Sequence, residues 1–347
     1  MLKFFSVILI VALCACQKPS TTDYTKVHAD QQVLQKKHDG MIWIPGGEFT
    51  MGCLEESCPE GTIAPHRVRV DGFWMDETEV TNGQFRKFVE ATKYITVAER
   101  PISWEELSKL LPSGTPKPPD EDLRPGALVF TPPTGTVLLN DYSQWWSWVV
   151  GADWKHPLGT ESSIEGMDNY PVVQVAYEDA LAYAQWADKR LPTEAQYEFA
   201  ARGGLDGKIF SWGDELNPEG KYLANYFQGS FPNKNTAEDG FEGLAPVKSF
   251  PPNKFGLYDI TGNIWELCSD WYALEAQAAD IAANVVINPT GPSSSYDPYE
   301  PNVQKHVSKG GSFICSIQYC SNYKPSGRQG AAFDTGMNHT GFRCIKE

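Results

Sequence analysis

Short alternations of apolar and polar residues open the patterned part of the chain. "MIWIPGGEFTMG" (Met41–Gly52) alternates and then meets Gly46-Gly47, which predicts an opening β-hairpin. "RVRVDGFWMD" alternates again around a turn at Asp71-Gly72. The period then changes. Phe85, Phe88 and Val89 fall at i, i+3 and i+4 behind Thr81, whose hydroxyl suits an N-cap, so a helix is predicted there. Residues 101–140 hold many prolines and little period, and read as a long irregular excursion. The clearest pattern lies in "YPVVQVAYEDALAYAQWADKRLPTEAQYEFAARGG". It predicts a short strand at Val172–Val175 and a helix with Ala180, Tyr183, Ala184 and Ala187 on one face. A second helix follows, capped by Thr193, with Glu194 and Gln196 in its first turn and Gly203 at its end. From Lys208 onward the chain reads as turns and short strands without an internal repeat. The expected organisation is one α+β domain over residues 41–347.

Composition narrows the function. The net charge of −15 argues against nucleic acid, whose phosphates need a basic face, and suits a basic peptide or a small molecule. Thirty glycines, 25 prolines and 11 tryptophans suggest a loop-rich fold packed with aromatic rings. Lys3, the apolar run "FFSVILIVAL" and "LCAC" resemble a bacterial lipoprotein signal over residues 1–15. Cys16 would then carry the lipid, and residues 16–40 would be a flexible tether. The expected location is the cell envelope, on the periplasmic face of the outer membrane in a Gram-negative cell, where disulfides persist. Six cysteines remain: Cys53, Cys58, Cys268, Cys315, Cys320 and Cys344; their pairing stays open. Cys315 and Cys320 stand in "KGGSFICSIQYCSNY" and could be a structural disulfide, a redox couple or a metal clamp. The six histidines are scattered, which speaks against a histidine-ligated iron, and no P-loop, Gly-x-Ser-x-Gly or His-Glu-x-x-His motif is present.

An ordered set of stretches resembles the formylglycine-generating enzyme family, also called sulfatase-modifying factors. It comprises "IPGGEFTMG", "VDGFWMDETEVTNGQFRKFVEATKYITVAER", "GADWKHPLG", the 170–204 segment, "NTAEDGFEGLAPV", "FPPNKFGLYDITGNIWELCSDWY" and "KGGSF…GFRC". The resemblance implies a C-type-lectin-like α+β fold with little regular secondary structure. It also implies an oxidase that uses O2 and copper(I) to turn a cysteine of a sulfatase peptide, in a Cys-x-Pro-x-Arg-like motif, into formylglycine. Gly310, Gly311, Ser312 and Phe313 frame Cys315 and Cys320, the implied copper ligands, with Ser312 beside them. Copper(I) is soft and prefers thiolates, so such a site needs deprotonated sulfur. In the implied reaction a hydrogen leaves the substrate Cβ and the resulting thioaldehyde hydrolyses. Trp145, Trp146, Arg328 and His339 are the candidates for the substrate side.

The resemblance implies two structural calcium sites. One would use Asn225 and Asp239 with the carbonyls of Tyr226 and Phe241; the other would use Asp259 and Glu266 with the carbonyls of Gly262 and Ile264. There are departures: Lys324 and Pro325 interrupt the family's basic run, and His339 replaces an asparagine. The family's structural disulfides do not carry over, because Ala184 stands where Cys344 would find its partner; Cys344 would be free or bonded to Cys268. Cys53 and Cys58 look like a local loop staple. A monomer is expected. The rival reading is a non-catalytic, lipid-anchored binding module of the envelope, which has no need of Cys315 and Cys320. A relative that oxidises something other than a sulfatase is a third.

Overall fold

The two opening strands do not pair with each other. In the computed structural model, which describes residues 38–347 apart from 57, 60, 112 and 275–284, Met41–Ile44 pairs with Phe73–Asp76, and Ile345–Lys346 joins on the far side. Gly47–Met51 instead pairs with His66–Val70, flanked by Val286–Ile287. The expected hairpin is therefore replaced by a crossing between two sheets. The crossing is tight: a Cβ on Gly46 would lie 2.7 Å from the Gly72 nitrogen, so the two glycine turns pack on one another. Ile44, Phe73 and Met75 of one sheet meet Phe49, Val68 and Val70 of the other in the main apolar core.

Helix α1 spans Asn82–Thr92. The Thr81 hydroxyl accepts from the Gln84 N–H (3.3 Å) and the Gln84 side chain accepts from the Thr81 N–H (2.8 Å), a reciprocal cap. Phe85 and Phe88 are buried against Tyr183, and Phe85 also meets Trp154 and Phe342. The 101–140 stretch is less irregular than expected. It contains α2 (Trp104–Leu110), which buries no residue and so leaves no apolar stripe to read, and the strand Gly126–Phe130, paired with Trp146–Val150. The strand expected at Val172–Val175 does not form. Gln174 sits at φ +60°, which breaks an extended run, and only Pro171 bridges to Thr81.

Helices α3 (Tyr177–Trp186) and α4 (Glu194–Arg202) follow the sequence pattern closely. All nine residues of α4 are buried. Its charged residues are satisfied inside the protein: Glu198 binds Arg202 (2.7 Å) and Lys309 (2.9 Å), and Glu194 binds Arg328 (2.7 Å). Lys309 and Arg328 belong to a four-stranded sheet with the order Arg328–Ala332, Lys305–Lys309, Trp265–Trp271, Thr340–Gly341. α4 packs on this sheet and on the Gly47–Val70 pair. Residues 40–347 form one compact unit. No helix among the described residues is long and apolar enough to cross a membrane. The signal at 1–15, Cys16 and most of the tether lie outside the described residues.

Candidate active site

The strand Lys305–Lys309 ends at Gly310-Gly311, and both glycines have positive φ (+93° and +73°). At Gly311 a side chain is impossible for a second reason: its Cβ would lie 2.7 Å from the Asn322 carbonyl carbon and from the Tyr323 nitrogen. The chain beyond Cys320 is thus laid directly against the start of the loop, bending the intervening residues into turns. Cys315 N–H donates to the Ser312 carbonyl (2.9 Å), and Cys320 and Ser321 N–H both donate to the Ser316 carbonyl (3.1 and 3.0 Å). The result places both thiols in one cluster, Cys315 inside it and Cys320 packed against it.

Neither thiol is in a disulfide. Cys315 is buried in a cluster with Tyr226, Trp265 and Tyr323, whereas Cys320 is half-buried on the edge of a groove of about 620 Å³. The Ser312 hydroxyl lies 3.9 Å from the Cys315 sulfur, within hydrogen-bonding range for sulfur. Burial, reinforced by the Cys320 neighbour, pushes the Cys315 thiol well up. Burial also opposes ionisation of Cys320, but hydrogen bonds from Cys315 and from backbone N–H groups, including that of Asn322, outweigh it and bring this thiol below its usual range. Ionisation is therefore favoured at Cys320, on the open side, over Cys315. Two free thiols in one cluster, one of them more easily ionised than the other, are a donor set suited to a soft monovalent cation.

The other expected substrate residues separate. Arg328 lines the groove, but its guanidinium is engaged with Glu194 and with the Gly61 and Ala273 carbonyls. Trp145, expected at the peptide surface, is only 1% exposed. It forms an edge-on wall behind Tyr319 and Phe231 because its ring is more stable among other rings than in water. Trp146 and His339 contact each other at 4.8 Å, and neither lines the groove. Burial pushes the His339 imidazole down to about 3, so it is neutral, with Nδ1 at 3.1 Å from the Thr340 hydroxyl. The sequence reading missed the rings that do line the groove, Tyr272, Tyr299 and Tyr319. The tyrosine between the two cysteines in "CSIQYC" was the one available signal.

The first oxygen-rich loop set comes together in part: Asp239 accepts from the Tyr226 N–H (3.0 Å) and the Phe241 N–H (3.0 Å). Asn225 donates through Nδ2 to the Gly243 carbonyl (2.8 Å) and to Asn263 (3.0 Å), leaving its buried Oδ1 without a partner. The Gln228 amide nitrogen lies between the Tyr226 carbonyl and the Asp239 carboxylate, two of the expected ligands. The orphaned buried Asn225 oxygen is a group a hard cation would satisfy, while the Asp239 oxygens already accept from nitrogen donors. The second set is rearranged. Both Glu266 oxygens are occupied by Arg343, and Tyr197 donates to one of them, so the expected ligand role does not fit its surroundings. Glu79 lies near enough for the Asp259 charge to act on it, with its Oε2 3.9 Å from the Arg343 guanidinium. Glu79 Oε2 and Asp259 Oδ1 are both buried without a hydrogen-bond partner, and burial followed by the Asp259 charge drives the Glu79 carboxyl well above its usual range. Nothing in the local sequence "DETEV" singles out Glu79. No cluster of three or more His, Cys, Asp or Glu side chains suited to a metal occurs among the described residues, so a cation in either loop set would need carbonyl and amide oxygens beside its one or two carboxylates.

Cys268 and Cys344, the other open question, are both free and buried. Cys53 and Cys58 are joined.

Comparisons with known proteins agree with this architecture. The family described as "Sulfatase-modifying factor enzyme 1-like domain" matches residues 26–347. A formylglycine-generating enzyme of Mycobacterium tuberculosis is 42% identical over 310 residues, covering 88% of this chain and 97% of that protein. The inactive C-alpha-formylglycine-generating enzyme 2 of Bos taurus is 36% identical over 307 residues, covering 88% and 87%. Among solved structures, PvdO from Pseudomonas aeruginosa shares the fold, with a TM-score of 0.55 at 21% identity over 88% of this chain and 94% of that one. With its mixed sheets, few helices and Gly-Gly-Ser thiol loop, this chain belongs to the sulfatase-modifying factor family and has that family's α+β, C-type-lectin-like fold.

Proposed function

We propose that this protein is an O2-dependent oxidase that converts a cysteine of a sulfatase polypeptide to Cα-formylglycine, with copper(I) held by Cys315 and Cys320. The observation that carries the reading is the pair of free thiols packed in one cluster, Cys315 buried and Cys320 at the edge of a groove. The 42% identity to an enzyme named for this product supports the reaction class.

The roles of this chain's residues follow from their surroundings. The surroundings of Cys320 at the groove favour its ionisation, whereas burial opposes that of Cys315, and both sulfurs must lose their protons to bind a cation. Bound copper(I) would supply a soft centre for the substrate sulfur and for O2. Ser312 orients Cys315 through its hydroxyl. The groove's tyrosines give an extended peptide rings and hydroxyls to lie against. Calcium at the Asn225–Asp239 loop and beside Asp259 and Glu79 would fix these loops from outside the thiol site. Lipidation at Cys16 and an envelope location complete the reading, and both concern residues outside those described.

The experiment is direct. The protein is incubated with copper and a Cys-x-Pro-x-Arg peptide in air, and the peptide is weighed by mass spectrometry. Conversion of thiol to aldehyde is expected, with Cys315→Ser and Cys320→Ser each inactive. Conversion that survives both substitutions would falsify the copper-thiolate site. Peptide binding without conversion would favour the binding-module reading, a live contrast because an inactive relative shares the family.

A further inference from the structure

Among the described residues, each charged side chain lining the groove beside Cys320 is tied to a partner: Lys324 to Glu55, Arg328 to Glu194, Asp297 to Lys305. The Lys324 pair is unlike the others in where it puts its charge. The lysine lines the groove, but its ammonium donates to both Glu55 oxygens, at 2.9 and 2.7 Å, and lies 5.8 Å from the centre of the Phe210 ring. Glu55 does not line the groove. It faces a separate cavity of about 120 Å³ with Leu54, Arg202 and Ser326. The charge of Lys324 is thus drawn behind the groove wall.

Glu55 is itself held in place. The Cys53–Cys58 disulfide brackets it, and the Cys53 N–H is bonded to the Ile63 carbonyl (3.0 Å). Cys58, Pro59 and Gly61 form one side of the groove, and Arg328 donates to the Gly61 carbonyl (3.1 Å). The staple, the glutamate and the lysine form one mechanical unit that ends four residues past Cys320.

We propose that Glu55 is a specificity-determining residue. By drawing the Lys324 ammonium off the groove, it leaves the space beside Cys320 free of positive charge, so the groove accepts polypeptides with a basic side chain near the reacting cysteine. This deepens the peptide-groove reading above and rests on it. The physical basis is simple. A lysine stem is flexible and its ammonium is a point charge. Freed in a partly desolvated groove, it would repel a cationic substrate and attract an anionic one, and specificity is the difference between the two.

The test is equilibrium binding of fluorescent peptides in which serine replaces the reactive cysteine: Ser-x-Pro-x-Arg and its Glu counterpart. The full chain is compared with Glu55→Ala, Glu55→Asp, Lys324→Met and the Glu55→Ala/Lys324→Met pair. The wild type is expected to prefer the Arg peptide. Glu55→Ala should reduce that preference by about fivefold or more. Glu55→Asp should keep most of it, and the double variant should regain it, because no ammonium remains to swing inward. Recovery in the double variant also separates a charge effect from a folding defect. An unchanged preference in Glu55→Ala, or a double variant no better than Glu55→Ala, would overturn the proposal, as would a wild type that binds neither peptide. Binding needs neither copper nor turnover, so a protein that binds with this pattern but never oxidises would sink only the oxidase reading.

Discussion

Glu266 and Arg343 share a two-point ion pair sealed inside the protein, with Nε to Oε2 at 2.7 Å and Nη2 to Oε1 at 2.8 Å. Tyr197 of α4 adds a third bond, donating its hydroxyl to Glu266 (2.8 Å). One contact thus joins the central strand Trp265–Trp271, the "GFRC" tail and the buried helix. Arg343→Met leaves the Glu266 charge buried without its partner. It should cost about 3–5 kcal/mol by denaturant unfolding. Arg343→Lys should recover only part of that, because an ammonium cannot reproduce the planar fork.

Asp270 couples stability to pH. Burial, helped by the nearby Glu194 charge, pushes its carboxyl up to about 7. The folded protein therefore holds this proton more tightly than the unfolded chain, whose carboxyl titrates near the ordinary 3.8. The contribution is fully present below that value and is lost as pH rises toward about 7, with a slope of at most ~1.4 kcal/mol per pH unit. Unfolding of the wild type and Asp270→Asn at several pH values between these limits checks the sign. The wild type should lose ground to the variant as pH rises; parallel curves would refute the assignment.

Ser312 should matter through Cys315 rather than through peptide binding. Ser312→Ala is expected to lower copper(I) affinity or turnover by about 10–100-fold while leaving the dissociation constant of a serine-substituted peptide unchanged. A change in peptide affinity alone would place the hydroxyl on the substrate side instead.

Calcium should raise the melting temperature. At a free concentration ~100 times its dissociation constant, a single site would add about 2.7 kcal/mol. The shift should shrink in Asn225→Ala, which removes the orphaned oxygen, and in Asp259→Asn. Glu79→Gln makes the sharper case. Without calcium it should stabilise the protein by removing one of two neighbouring carboxylates, and with calcium the advantage should disappear.

Trp145→Ala should act on stability first. A ring 1% exposed and packed edge-on against Phe231 and Tyr319 is worth about 3–5 kcal/mol when truncated. Unfolding curves and peptide affinities measured side by side will tell this from a direct substrate contact, which would change affinity and leave stability nearly intact.

What could be read from the chain alone was whatever is decided within a few residues. The caps at Thr81 and Thr193 close onto backbone three positions away, so Gln84 and Gln196 announce them. The thiol frame was legible for the same reason, since its glycines, serine and cysteines are neighbours in sequence. Tertiary structure decided the rest, because distant segments compete for each group. Gly46-Gly47 permits a hairpin, yet each adjoining strand found a better partner elsewhere. Glu266 had a carboxylate to offer a cation, but Arg343 reached it first; Glu79 became significant only when folding brought it near Asp259. Even the burial of Cys315, as against Cys320 at the groove, came from outside the motif, where Tyr226 and Trp265 pack around it. Local bonds cost little chain entropy and can be foreseen; burial and charge pairing depend on which remote surfaces exclude water together, and only the folded chain settles that.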